Sequence, residues 1–218
     1  MNRVKTAILA TVIAALTPGA IIPARADAPS AASAFTDAPI DMFPIDKLTR
    51  LDMIDYYNNG STKPSKNMFK GDCRITALSP EQITVEASNV ADITISLLQH
   101  KADTLFMVIS TYKTPIADSA IHFYNKAWTE QQNLFNAPEL ADWLTAEVKA
   151  DKQRQKDVEN ACPFILATYS YSPADATLTI TNNVDAMIPR EDKQIVGSAL
   201  RPTLTYKWNG KKMEKITK

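Results

Sequence analysis

Histidine is scarce in this chain: His100 and His122 are the only two in 218 residues. His122 stands in SAIHFYNKAW, residues 119–128, beside a phenylalanine, a tyrosine and a tryptophan. Asp118, Ser119 and His122 together suggest a nucleophilic triad. In a strand, successive side chains alternate faces, so Ser119 and His122, three apart, point to opposite sides. No Gly-x-Ser-x-Gly elbow occurs elsewhere. Cys73, His100, His122 and Cys162 make up a Cys2His2 count, but structural zinc takes its ligands in close pairs held by one turn, and these four are scattered. We therefore expect no metal site. With five glycines and no glycine-rich phosphate loop, no nucleotide or other cofactor is expected either. The 24 acidic residues permit a carboxylate pair for hydrolysis without indicating one.

What remains at this stretch is aromatic. Alternation puts Ile121 and Phe123 on one side and His122, Tyr124, Lys126 and Trp128 on the other. One reading is a half-buried sheet face roofed by a helix. The other is an aromatic strip open to solvent, suited to stacking on sugars or gripping a partner. Tyr206 and Trp208 on the last strand raise the same choice. The candidate binding residues are thus His122, Tyr124, Trp128, Tyr206 and Trp208.

The elements that position these residues follow from pattern. Residues 44–60 carry Ile45, Leu48, Leu51, Ile54 and Tyr57 on one helical face, stopped by Asn59 and Gly60. Residues 74–78, 83–87 and 92–98 are short, β-branched and alternating, punctuated by Ser79-Pro80-Glu81 and Ser88-Asn89. Residues 104–111 are apolar on both faces and read as a central strand; SAIHFYNKAW follows as a fifth. Loops this short favour antiparallel neighbours. A second helix is expected from Asn136 as N-cap with Glu139 three later, its inner stripe being Leu140, Trp143, Leu144 and Val148 with Glu147 at the edge, and its end turning polar beyond Ala150. A hairpin around Pro173-Ala174-Asp175, a short helix near residues 191–200 and a final hairpin with Asn209-Gly210 complete the chain. The fold class is α+β, an antiparallel sheet of meander and hairpins packed with two to three helices. The order helix, strands, aromatic strand occurs twice, which admits two α+β repeats with lobes 44–135 and 136–218.

The N-terminus adds location. Arg3 and Lys5 precede an apolar run at residues 7–16, and Ala24-Arg25-Ala26 offers small residues at a cleavage site. This is the layout of a secretory signal peptide, too short to span a bilayer, which takes about 20 apolar residues. Cleavage is expected after Ala26, leaving an Ala/Pro/Ser-rich flexible tether at 27–43 and a domain at 44–218 with no membrane span. Export removes Arg3, Lys5 and Arg25 and no acid, so the balanced 24 and 24 charges become mildly acidic, which speaks against nucleic acid as a partner. The lysines at 207, 211, 212, 215 and 218 read as a solvated hairpin. In an oxidising compartment Cys73 and Cys162 either pair as a disulfide or stay as two buried thiols.

The stretches LDMIDYYNNG, DSAIHFYNKAW and TLTYKWNGKK resemble an exported family of unknown function from gut Bacteroides-type bacteria, the likeness running from about Phe43 to the C-terminus. The resemblance implies an envelope or secreted location and supplies no catalytic residues. The function expected is a soluble envelope module that binds a glycan, a peptide or a partner protein. A polymer hydrolase with unidentified carboxylates and a structural or inhibitor-like protein are the alternatives.

Overall fold

The computed structural model describes residues 29–216; the expected signal peptide and its cleavage point lie outside them. The fold is α+β, with two antiparallel sheets and six α-helices among the described residues. Helices α1 (Ala31–Asp37) and α2 (Lys47–Asn58) precede a six-stranded meander: β1 (Ser65–Lys66), β2 (Asp72–Leu78), β3 (Gln82–Ser88), β4 (Ala91–His100), β5 (Asp103–Tyr112) and β6 (Asp118–Tyr124). Helices α3 (Leu140–Trp143), α4 (Ala146–Ala150) and α5 (Lys152–Ala161) follow. Then come β7 (Ala167–Ser172), β8 (Thr177–Asn182), α6 (Lys193–Val196), β9 (Thr203–Trp208) and β10 (Met213–Lys215), whose strands form a second meander in the order β10-β9-β8-β7.

The six-stranded sheet is covered on one face along most of its width and on both faces at β5, whose sequence accordingly runs apolar. Phe106 and Val108 point into a core shared with α1 and α2, while Leu105, Met107 and Ile109 point into a second core shared with the four-stranded sheet and the later helices. Side chains join the two sheets. Asp118 Oδ1 accepts from the Ala167 N–H at 2.9 Å and Ser119 Oγ from the Tyr169 N–H at 3.1 Å, so β7 lies along β6 without a shared ladder.

Several elements depart from the sequence reading. The stretch expected as a flexible tether contains α1, capped by reciprocal bonds between Ser30 and Ser33, with Ala31 and Phe35 fully buried. Its last turn is completed by an unexpected residue. Phe35 O has lost its helical partner because position 39 is proline, which has no N–H. Arg50 supplies the donors: its guanidinium reaches the carbonyls of Phe35, Ala38, Pro39, Phe43 and Ile45 between the rings of Phe35 and Phe43. The helical face expected over residues 44–60 holds at Ile45, Ile54 and Tyr57, which pack on the core shared with α1 and α2, and fails in between. Arg50 and Met53 are buried, whereas Leu48 is 74% exposed and Leu51 43%.

The helix expected from Asn136 begins instead after Glu139, whose N–H donates to Asp142 Oδ2, and it breaks into three short pieces. The break has a tertiary cause. The Thr145 N–H donates to Ala199 O, the Arg201 N–H donates to Trp143 O, and Leu144 bridges Leu200, so this backbone is pulled into extended pairing. Asp151 then caps α5 through the N–H groups of Gln153 and Arg154, so the polar run is a helix. The last hairpin turns through four residues, not two, with Trp208 opposite Met213 and Asn209 Oδ1 accepting from the Lys211 and Lys212 N–H groups.

Candidate functional site

The aromatic stretch divides at Tyr124. Up to that point β6 alternates as expected, with Phe123 buried beside Met107 of β5. Asn125 then builds a turn. Its side-chain oxygen accepts from the Ala127 and Thr129 N–H groups, its carbonyl from the Trp128 N–H, and Trp128 adopts a left-handed φ of 59°. Trp128 is thus not the next residue of a strand. Its ring folds back onto Phe106 at 5.0 Å and Tyr124 at 5.5 Å, with its indole N–H buried and unpartnered. The turn returns Glu130 opposite Tyr124, and its carboxylate meets His122 Nδ1 at 2.7 Å. A carboxylate at Nδ1 orients the ring and favours a proton on that nitrogen. Burial, with help from Glu130 and Asp41, pushes the Tyr124 phenol up.

Ser119 is on the opposite side, bonded to Thr111 Oγ1 at 2.8 Å and to Tyr169 N. Asp118, Ser119 and His122 form no triad: two of them join sheets and the third pairs with Glu130.

Tyr206 and Trp208 lie elsewhere. Both are buried in the core between the sheets, Tyr206 against Phe135 and Trp208 stacked on Phe123 at 6.1 Å. The five aromatic and histidine candidates therefore do not converge. Three form an outer corner and two belong to the interior. The cysteines separate as well. Cys73 is buried on the α1/α2 side of the six-stranded sheet and Cys162 on the other, both as free thiols. The disulfide left open by the sequence is not formed. Burial pushes the Cys73 thiol up to about 11, with Asp72 adding to it, and burial also raises Cys162, opposed in part by the Phe164 backbone. Among the described residues no group of three or more metal-ligating side chains comes together.

Trp208 does reach a concave surface. A cleft of about 370 Å³ lies where the β7–β8 hairpin meets the end of β4 and the start of β5. Its apolar surface comes from Leu97, Leu98, Pro173, Ala176, Tyr171 and Trp208, and its polar groups are Glu81, Gln99 and Thr104. The geometry is braced. Gln82 Nε2 donates to Ser96 Oγ and to Tyr171 O across the sheets, Leu97 N–H to Glu81 O, and Trp208 Nε1 to Gln99 O at 2.8 Å. Burial, reinforced by Asp175, pushes the Tyr171 phenol up to about 12, so it is a neutral hydroxyl at any physiological pH. The cleft offers an apolar floor, one carboxylate, an amide and two hydroxyls. Of these groups only Trp208 is a candidate by sequence, because the others come from segments far apart in the chain, and the pattern at Pro173-Ala174-Asp175 signals only a turn.

A family model described as "Protein of unknown function (DUF3256)" matches residues 24–213, and the chain belongs to that family. A solved structure described as a domain of an uncharacterized protein from Porphyromonas gingivalis W83 is similar over 84% of this chain and 96% of that one, at 20% identity and a TM-score of 0.73. At that identity the likeness is one of fold. No curated protein matches the chain. Among the described residues no helix is long and apolar enough to cross a membrane.

Proposed function

We propose that this DUF3256 protein is an exported binding module of the bacterial cell envelope and that it holds a short glycan segment in the cleft between its sheets. The cleft's composition carries the reading: Glu81, Gln99 and Thr104 line a braced concavity of about 370 Å³ together with apolar residues, Tyr171 and Trp208. Sugars present apolar C–H faces and many hydroxyls, and aromatic floors with a few placed polar groups suit them. The N-terminal pattern of residues 1–26 supports export. Binding is favoured over hydrolysis because glycoside cleavage uses two carboxyl groups flanking one bond, and Glu81 is the one carboxylate in the lining.

A thermal-shift panel of envelope glycans, peptidoglycan fragments and dietary oligosaccharides tests this. A ligand at a hundred times its dissociation constant adds about 2.7 kcal/mol to stability. Glu81→Gln and Thr104→Val are each expected to weaken a hit by about tenfold, the loss of one hydrogen bond of about 1.4 kcal/mol. Trp128→Ala leaves the affinity unchanged. A flat panel, or a hit that Trp128→Ala removes and the cleft variants do not, overturns the assignment.

A further inference from the structure

β1 is a two-residue stub. Ser65 pairs with Cys73 and Lys66 with Asp72, and there the ladder stops. Continuing that antiparallel register would put residues 64, 63 and 62 opposite Arg74, Ile75 and Thr76. Position 64 is proline, which has no N–H to give to a ladder and is confined to strand edges and ends. The chain instead swings away to meet the end of α2, where Ser61 N–H donates to Tyr56 O. Beyond Cys73 the outer edge of β2 has no strand neighbour among the described residues.

A groove of about 590 Å³ flanks this edge, larger than the cleft between the sheets. Arg74, Ile75 and Thr76 form one wall, and Tyr57, Gly60, Ser61 and Thr62 the other. It is the row that a longer β1 would have filled. A smaller hollow sharing Tyr57, Ser61, Arg74 and Ile75 adds Lys63.

We infer that this row is a docking slot for one extended peptide, added to the sheet as a strand. An open edge supplies main-chain bonds, and the flanking side chains select alternate residues of the peptide. A second copy of this chain does not fit edge to edge, because its own residues 60–62 and α2 stand beside its β2 as they do here. Charge indicates the peptide's chemistry. Arg74 lines the slot and Lys63 the smaller hollow that adjoins it, and Glu86, which pairs with Arg74 at 2.7 Å, also lies 3.7 Å from Lys113. Opposite charges directly across a ladder are favourable, so an acidic residue sits opposite Arg74. Ile75 is buried and faces inward with Tyr57 beside it, so the preceding peptide residue is apolar. The ladder between β2 and β3 slips after Ile75, a bulge at Thr76 that confines regular addition to three residues, Arg74–Thr76. Docking is accordingly short and weak, and the bulge keeps the open edge from templating aggregation.

The test is an amide-resolved NMR titration of the folded chain with the synthetic peptide acetyl-Ser-Thr-Val-Glu-Thr-Ser-amide. Saturable shifts are expected at Arg74, Ile75, Thr76, Gly60, Ser61 and Thr62. Replacing the peptide's valine by proline abolishes them without altering the protein. Arg74→Glu switches preference to the same peptide carrying lysine in place of glutamate. No saturable shift at millimolar peptide, equal binding of the glutamate and lysine peptides to the unaltered protein, or a sedimentation dimer that protects the β2 amides each overturns the inference.

Discussion

Arg50→Met is the sharpest perturbation of this fold. Arg50 is 1% exposed, and all five of its acceptors among the described residues are backbone carbonyls. Burial lowers its pKa, and the more distant Asp46 and Asp37 oppose that, so the charge is held by dipoles and two aromatic faces. Methionine keeps much of the volume and removes every donor. Two acceptors have other partners, since Phe43 O also receives Ile45 N–H and Pro39 O receives Phe43 N–H. Phe35 O, Ala38 O and Ile45 O are left bare. A buried unsatisfied carbonyl costs about 1–3 kcal/mol, and escape from guanidinium desolvation offsets part of that. The expected net loss is about 3–5 kcal/mol, the range for breaking a buried charged network. Urea unfolding followed by circular dichroism measures it, with hydrogen exchange on residues 31–45 locating it. Arg50→Lys recovers only part, because one ammonium with three donors cannot span five carbonyls. A loss below about 1 kcal/mol with α1 still protected refutes the reasoning, and means that water or repacking replaces the guanidinium.

Ser119→Ala removes the acceptor for the Tyr169 N–H between the sheets and is expected to cost about 1–2 kcal/mol in a thermal or urea melt; an unchanged melt means the sheets are held by packing alone. Thiol titration with a chromogenic disulfide is expected to find both cysteines silent in the native protein and both reactive after denaturation without reductant, Cys73 being buried with its pKa up at about 11. Asp142→Asn tests a pH effect. Burial raises the Asp142 carboxyl, but Lys215 at 2.7 Å and the Glu139 N–H outweigh it, and the net shift is downward from 3.8. A lowered folded pKa stabilises above the unfolded pKa and loses that contribution as pH falls through the folded value. Because the pair is partly exposed, the variant should be only about 0.5–1 kcal/mol less stable at neutral pH, and the difference should vanish under strong acid. A gap that persists there assigns the effect to something other than charge.

Local pattern determined much of this protein. Alternation placed β2 through β6, because a strand with one buried face has a period of two that a single segment displays. The doubly apolar run at β5 announced a strand buried on both sides, and Pro173-Ala174-Asp175 and Asn209-Gly210 announced their hairpins. These signals need no knowledge of distant residues. The tertiary structure decided the rest. α1 is a seven-residue helix, too short to hold alone, and it exists because Phe35 docks and Arg50, fifteen residues on, receives its carbonyls. Residues 140–161 carry a helical pattern, yet pairing with residues 199–201 breaks it, since backbone bonds from elsewhere compete on equal terms with helical ones. Trp128 leaves the strand because Asn125 finds a turn to cap, and Tyr206 and Trp208 are interior because the second sheet closes over them. The cleft draws its groups from residues 81, 97–104, 171–176 and 208. Type and spacing along one segment express only that segment's own face. Which faces meet is set by long-range packing, and so the aromatic residues were legible as aromatic but not as neighbours.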